Sequence, residues 1–217
     1  VDPCVAALRS NEPQLISGAA QVLQRLHDPT VVAGLIEVLK TTQGPARDAA
    51  FAALCRLHFR PAEWDGKWWG TRPDTSGPYF KHVTWEKTPE IGSALQAALA
   101  TTPRQNLGEY LKQMKLHKID LTPHAGLILE LAQDEAFQPA AVELLGGMAA
   151  VPSQAVAFLT SAATSAKSDQ ALRGKALRSL VKAAGSGADL TGVVDAFDVA
   201  AGIDDPQNEL VQARNEF

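Results

Sequence analysis

The sequence predicts an all-α protein whose helices form pairs that stack in series, an α-solenoid. Three observations support this prediction. Apolar residues recur three and four positions apart through most of the 217 residues, which is the spacing of one buried helix face. The apolar segments are short, and many begin at a proline, which suits the first turn of a helix because its missing N–H would have no partner there. Similar segments also recur along the chain, as expected of a repeat architecture.

The apolar stripes define the predicted helices in chain order. They run through residues 15–26, 32–39, 50–57, 107–114, 127–131, 141–148, 172–180 and 190–197. Helix-start signals precede several of them, at Pro29, Pro45, Pro123, Pro152 and Pro206. No segment shows the alternation of apolar and polar residues that is typical of a half-buried strand. The sequence therefore predicts helices alone.

In four of the five predicted pairs, the second helix carries an alanine that is followed four positions later by a leucine. This pattern occurs as Ala19/Leu23, Ala50/Leu54, Ala140/Leu144 and Ala176/Leu180, with Leu107/Leu111 in the equivalent place of a further pair near 92–117. A pair of this size cannot cover its own apolar faces, so stacking on its neighbours stabilises it. We therefore expect about five helix pairs in a single domain over residues 1–217.

Two of these second helices resemble those of HEAT repeats. The segments 46-ARDAAFAALCRL-57 and 171-ALRGKALRSLVKA-183 place Arg47 and Arg173 where such repeats often carry a basic residue. The resemblance covers most of the chain and implies a HEAT-like α-solenoid. The pair near 92–117 departs most from the pattern, because Leu107 stands where the other pairs have alanine. A compact, irregular helical bundle is the alternative fold.

Residues 60–90 form an aromatic-rich insertion between the second and third pairs. All four tryptophans of the chain lie there, together with several glycines and prolines. Insertions in solenoids emerge as loops on one face, often the binding face. Because so much aromatic surface is unfavourable in water, we expect an ordered loop that packs on one flank of the helices.

The candidate binding residues lie in the stretch 64-WDGKWWGTRPDTSGPYFKHVTW-85. They are Trp64, Trp68, Trp69, Arg72, Asp74, Tyr79 and Trp85. Tryptophan, tyrosine and arginine dominate the energetics of protein interfaces, and an indole beside polar side chains also suits the face of a sugar ring. Three interpretations stay open. The loop only stabilises the helices, it docks a partner protein or neighbouring domain, or it binds carbohydrate.

The same run carries a second resemblance. DGKWWGTRPDT-GPY followed by Trp85 is similar to a stretch found after HEAT-like helices in large bacterial multidomain proteins. Those proteins join a propeller of the sugar-dehydrogenase type, HEAT-like repeats and a c-type cytochrome domain. The resemblance implies an exported, periplasmic protein and a spacer or docking role, and it transfers no catalytic residue. Since the chain starts without methionine and ends in a pattern typical of an unfinished helix, we expect both ends to be cuts through a longer protein.

Composition argues against several classes of function. No apolar run approaches the roughly 18 residues of a membrane span, and a net charge of −4 disfavours nucleic acid, whose binders usually carry a basic stripe. We expect no cofactor, because the chain has no CxxCH for haem. We expect Cys4 and Cys55 to be small buried hydrophobes, with a disulfide as the alternative.

His27 and His58 occupy equivalent positions in successive pairs, in 25-RLH-27 and 56-RLH-58. Equivalent positions on stacked helices lie roughly 8–10 Å apart, whereas zinc needs ligands at about 2 Å. We therefore expect no metal site, and attribute both histidines to the favourable interaction of an imidazolium with a helix C-terminus.

One titratable cluster lies in the aromatic setting: Asp65, Asp74, His82 and Glu86. A general acid and base could be drawn from it, although nothing in the spacing requires one. A HEAT-like enzyme such as a base-excision glycosylase is a further alternative, which the acidic charge balance disfavours. The sequence favours a non-catalytic scaffold or protein-interaction module, with a carbohydrate-binding module as the main competing interpretation.

Overall fold

The structure, a computed structural model, describes residues 2–63, 81–148, 151–185 and 191–217. The contacts within the chain divide it into two compact units, Val1–Ile119 and Asp120–Phe217. We call them the first and second units and describe each by itself. The expected single domain over residues 1–217 stays a prediction.

The first unit contains six helices and two short strands among its described residues. They are α1 (Asp2–Leu8), α2 (Pro13–Leu23), α3 (Pro29–Thr41), α4 (Pro45–Leu57), β1 (Arg60–Pro61), β2 (His82–Val83), α5 (Thr88–Thr101) and α6 (Arg104–Leu116).

The described part of the second unit also contains six α-helices, with two short 3₁₀ helices at Thr122–His124 and Glu135–Phe137. The α-helices are α7 (Ala125–Leu131), α8 (Gln138–Gly146), α9 (Ser153–Thr164), α10 (Gln170–Gly185), α11 (Thr191–Ala201) and α12 (Glu209–Asn215).

Within each unit the helices pack pairwise, and each pair packs on the next. In the first unit, α3 lies between α1 and α5, and α4 lies between α2 and α6. In the second unit, α9 contacts both α7 and α11, and α10 contacts both α8 and α12. First helices thus pack on first helices and second helices on second helices. The mostly helical, repeat-like fold predicted from the apolar spacing is confirmed.

The structure differs from the sequence prediction in two details. The described residues contain six successive helix pairs rather than about five, because α11 and α12 form a further pair. The alanine–leucine pattern does not identify α12, since Phe217 rather than leucine follows Ala213 by four residues. Strands β1 and β2 were also not predicted. Each is two residues long, which is too short to show alternation.

Local sequence sets the start of the helices in the first unit. Prolines occupy the first turn of α2, α3 and α4. Asp28 precedes α3, and its carboxylate accepts hydrogen bonds from the backbone N–H groups of Thr30 and Val31, at 2.7 and 3.3 Å, as an N-cap does. Gly44 precedes α4 with φ of +60°, a conformation that glycine adopts without steric cost.

The core of the first unit is fastened through an aromatic contact between α4 and α6. Phe51 is fully buried, and its ring stacks on Tyr110 with centroids 4.0 Å apart. The Tyr110 hydroxyl donates to Asp48 Oδ1 at 2.7 Å. Burial, together with this hydrogen bond, raises the pKa of Tyr110 above its ordinary value. The phenol therefore stays a neutral donor that holds α6 on α4.

Close approach of α10 and α12 in the second unit depends on Gly174. A Cβ atom at this position would lie 2.7 Å from the backbone oxygen of Glu209 at the start of α12. Real Cβ atoms essentially never approach a backbone atom so closely. The absence of a side chain therefore sets the distance between these second helices.

The two cysteines are free thiols, so the disulfide alternative is wrong. Cys55 is buried in α4 and Cys4 is half-buried in α1. Burial raises the pKa of the Cys55 thiol. The prediction of a small buried hydrophobe is confirmed for Cys55. In the described part of the chain, no helix combines the length and the apolarity that crossing a membrane requires.

Arg47 links three helices through carbonyl oxygens at helix ends. Its buried guanidinium donates to Leu39 O in the last turn of α3, at 2.9 Å. It also donates to Ala98 O and Thr101 Oγ1 in the last turn of α5, at 3.1 and 2.8 Å. Carbonyls in the last turn of a helix have no backbone partner within it. Arg47 supplies the donor to Leu39 O, whereas Ala98 O also accepts from the hydroxyls of Thr101 and Thr102; Arg47 thus joins the ends of α3 and α5.

Arg173, the other basic residue singled out in the sequence, has the same role in the second unit. From α10, its Nε donates to Ala163 O in the last turn of α9, at 3.0 Å. The two arginines thus join the second helix of a pair to the end of the first.

We predict that Arg47→Met lowers the free energy of unfolding by about 1–3 kcal/mol, because it leaves the buried carbonyl oxygen of Leu39 without its donor. The control is Arg9→Met, whose side chain is 44% exposed and lies 3.9 Å from Glu37. A surface pair of this kind contributes about 1 kcal/mol or less. Urea denaturation followed by circular dichroism measures both variants, and equal losses would contradict the role assigned to Arg47.

Candidate functional site

The structure describes the two ends of the aromatic insertion. Of the seven predicted binding residues, Trp85 is described, whereas Trp64, Trp68, Trp69, Arg72, Asp74 and Tyr79 lie outside the described residues. The expected order of the loop and its packing on one flank therefore stay predictions for residues 64–80. We call residues 60–63 and 81–88 the stem of the insertion.

The stem brings the two ends of the insertion together. Strands β1 and β2 pair antiparallel, with Arg60 opposite Val83 and Pro61 opposite His82. One residue further on, the backbone N–H of Ala62 donates to the carbonyl of Lys81 at 2.8 Å. The insertion consequently leaves the helices and returns to them at a single place.

Trp85 and Thr88 fasten the stem to the end of α4. The half-buried indole of Trp85 donates through Nε1 to Leu57 O at 2.8 Å, and Leu57 is the last residue of α4. The Thr88 hydroxyl donates to His58 O at 2.7 Å and accepts from the backbone N–H of Trp85 at 3.0 Å. Two carbonyls at the end of α4 thus receive their donors from the stem.

His27 connects the first helix pair to the same place. Its Nε2 lies 2.9 Å from Phe59 O, and since a carbonyl oxygen only accepts, Nε2 carries the proton. The imidazole also meets Trp85 edge to face, with ring centroids 5.4 Å apart and planes at 72°. The segment after α2, the end of α4 and the stem therefore meet in one cluster of rings.

Phe59 forms the centre of this cluster. Its ring stacks on His82 of β2, with centroids 5.3 Å apart and planes at 12°. On another side it meets the His58 ring edge to face at 4.4 Å. The rings of the stem are therefore packed against those at the end of α4.

Burial controls the protonation of the histidines. It lowers the pKa of His27, His58, His82 and His117, the last to about 4. The sequence-based explanation of His27 and His58 is therefore wrong, because a helix C-terminus would raise the pKa of an imidazole. Removal of the rings from water outweighs that effect, and both histidines act as neutral packing groups.

The predicted acid–base cluster is only partly described. Asp65 and Asp74 lie outside the described residues, Glu86 is exposed, and His82 is stacked on Phe59. Within the described ranges, no group of three or more histidines, cysteines, aspartates or glutamates could hold a metal ion.

Sequence reasoning missed Phe59 and Thr88 as parts of this site. Thr88 had a local signal, because Thr88-Pro89 opens α5. Phe59 had none, since its role depends on the way in which the end of α4 and the stem converge.

Comparisons with known proteins show no family for the chain. No family model matches the chain, and no curated protein matches it. Two chains among the solved structures match. One is similar at 18% identity and a TM-score of 0.47, over 98% of this chain and 94% of its own. It is the crystal structure of an engineered protein from the Northeast Structural Genomics Consortium.

We predict that Thr88→Val lowers the free energy of unfolding of the first unit by about 1–3 kcal/mol, because it leaves His58 O and the Trp85 N–H without partners. The matched control is Thr84→Val at an exposed position of the stem, which we expect to change stability by less than about 0.5 kcal/mol. Thermal and urea denaturation measure both. A Thr88 variant as stable as the control would contradict this anchoring.

Proposed function

We propose that the chain is a HEAT-like α-solenoid that serves as a non-catalytic scaffold and docks a partner protein or neighbouring domain through its aromatic insertion. One observation carries the proposal. The two ends of the insertion are paired with each other and fastened to the end of α4 by Trp85 and Thr88.

Anchoring of this kind suits a recognition loop. Binding residues often lie on loops that a rigid scaffold positions, and restricting such a loop before binding lowers the entropy lost on association. The stem is tied to the carbonyls of Leu57 and His58, so residues 64–80 start and end at positions set by the helices. Their tryptophan, tyrosine and arginine content matches that of interface hot spots.

The HEAT-like part of the proposal draws support from the arginines. Arg47 and Arg173 stand where HEAT repeats often carry a basic residue, and each donates to a carbonyl at the end of the preceding helix. The resemblance of residues 64–85 to bacterial multidomain proteins extends the proposal. The chain would act as a periplasmic spacer, and the docked surface would belong to a neighbouring domain.

The test is a variant that lacks the aromatic loop but keeps the stem. Since the Ala62 N–H pairs with Lys81 O, Asn-Gly can replace residues 63–80 as a two-residue hairpin turn. We expect the melting temperature of this variant to lie within a few degrees of that of the native chain. The native chain should form reproducible cross-links to one protein or domain, identified by mass spectrometry, and the variant should lose them. A control variant, Val194→Ser, changes an apolar residue that is 54% exposed on α11 and should keep the cross-links.

Three results would contradict the proposal. The first is an unchanged set of cross-links in the variant without the loop. The second is a blue shift of tryptophan emission with oligosaccharide in the native chain alone, which would favour a carbohydrate-binding module. The third is a hydrolase or glycosylase activity that disappears with the loop, which would favour an enzyme.

A further inference from the structure

The helix α2 presents large apolar side chains to solvent on one of its faces. Leu15 and Val22 lie seven positions apart, which is about two helical turns, and are 48% and 50% exposed. Leu26, which follows the helix, is also exposed. Although α2 packs on α1 and α4, these side chains remain in contact with water. Large apolar residues grouped on one exposed face mark an interaction surface.

Gly18 lies midway between Leu15 and Val22 on this helix. A Cβ atom at Gly18 would meet open space, so the packing of the chain itself does not require glycine there. Glycine in the interior of a helix is less favourable than alanine. Its benefit lies in the close approach that a missing side chain permits to a second helix. The position therefore suits a crossing with a helix of another molecule.

The residues on the two sides of Gly18 are arranged symmetrically. Leu15 and Val22 are centred just after Gly18. Glu12, which precedes α2, and Arg25, which follows it, have the same centre. If two antiparallel copies of α2 are related by a two-fold axis at that point, Leu15 of each copy meets Val22 of the other. Glu12 of each copy then lies level with Arg25 of the other, as the self-complementary contact of a symmetric dimer requires.

Glu12 and Arg25 carry opposite charges, and both are exposed. Within the described residues, neither the Glu12 carboxylate nor the Arg25 guanidinium forms an ion pair or a side-chain hydrogen bond. Complementary charges at the edge of an interface fix the orientation of the partners and disfavour other pairings. The charges beside the apolar face of α2 are therefore complementary to those of a second copy in the antiparallel orientation.

We propose that the exposed face of α2 is the interface of a homodimer, in which a second copy of this chain packs its own α2 antiparallel across Gly18. The proposal concerns α2 and does not rest on docking through the insertion. An interface centred on one helix of 11 residues lies at the small end of specific interfaces. We therefore expect a dissociation constant on the order of 10 μM.

Charge reversal tests the antiparallel geometry. Glu12→Lys and Arg25→Glu each place like charges opposite one another in a homodimer, so each variant should self-associate at least about tenfold more weakly than the native chain. In a mixture of the two variants, every facing pair again has opposite charges. We expect the mixture to form heterodimers with about the native affinity. Sedimentation velocity over about 1–200 μM, with one variant fluorescently labelled in the mixture, measures these affinities.

Two further variants test the apolar contact and the crossing point. Val22→Ser should weaken self-association at least about tenfold, whereas the control Leu116→Ser, at a 58% exposed position in α6, should leave it unchanged. Gly18→Leu should also weaken the dimer, because its side chain keeps the two helices apart. At concentrations where the chain is monomeric, the melting temperature of Gly18→Leu should be unchanged or higher, which separates loss of the interface from loss of the fold.

The dimer is overturned by a native chain that stays monomeric at 200 μM, a result that would assign this face to a different molecule. It is equally overturned if the two charge variants self-associate as well as the native chain, or if their mixture forms no heterodimer. Equal weakening by Val22→Ser and Leu116→Ser would also contradict the assignment to α2. Circular dichroism of every variant establishes that it is folded.

Discussion

Carbonyl oxygens at the ends of helices impose the constraint on which this structure depends. The last turn of every helix leaves carbonyls without a partner in the same helix, and burying them without donors costs free energy. Here side chains from neighbouring elements supply the donors. Arg47 serves α3 and α5, and Arg173 serves α9.

The aromatic insertion is attached by the same chemistry. Trp85 and Thr88 donate to the carbonyls of Leu57 and His58, and His27 donates to that of Phe59. The chain leaves the helix pairs after α4, where the carbonyls at the end of that helix need donors. Trp85 and Thr88, which follow β2, supply these donors. The stem is consequently part of the packing between α4 and α5, whatever the role of residues 64–80. This arrangement combines a fixed stem with an aromatic loop, which is the basis of the proposed docking function.

Much of the fold could be predicted because the residues that start a helix and form its apolar face lie close together in the sequence. Apolar spacing and the prolines at positions 29 and 45 placed α3 and α4. The long step between the second and third pairs placed the insertion at 60–90, close to the end of α4 and the start of α5. The contacts that hold the site could not be predicted. Arg47 reaches Ala98, 51 residues away, and the pairing of Pro61 with His82 has no signal in either segment. The histidines were misread because their environment depends on burial that only the assembled helices create.

The central claim is that the stem is fastened to the end of α4 through the Trp85 indole. The most direct test is hydrogen exchange at the indole Nε1–H of Trp85, followed by NMR at pH 7 in the chain with Trp85 as its only tryptophan. If the indole is bonded to Leu57 O, exchange requires opening of the stem and should be at least about 100-fold slower than in free indole, an opening free energy of about 2.7 kcal/mol. Exchange at the rate of free indole would show that the bond does not hold the stem, and would contradict the account.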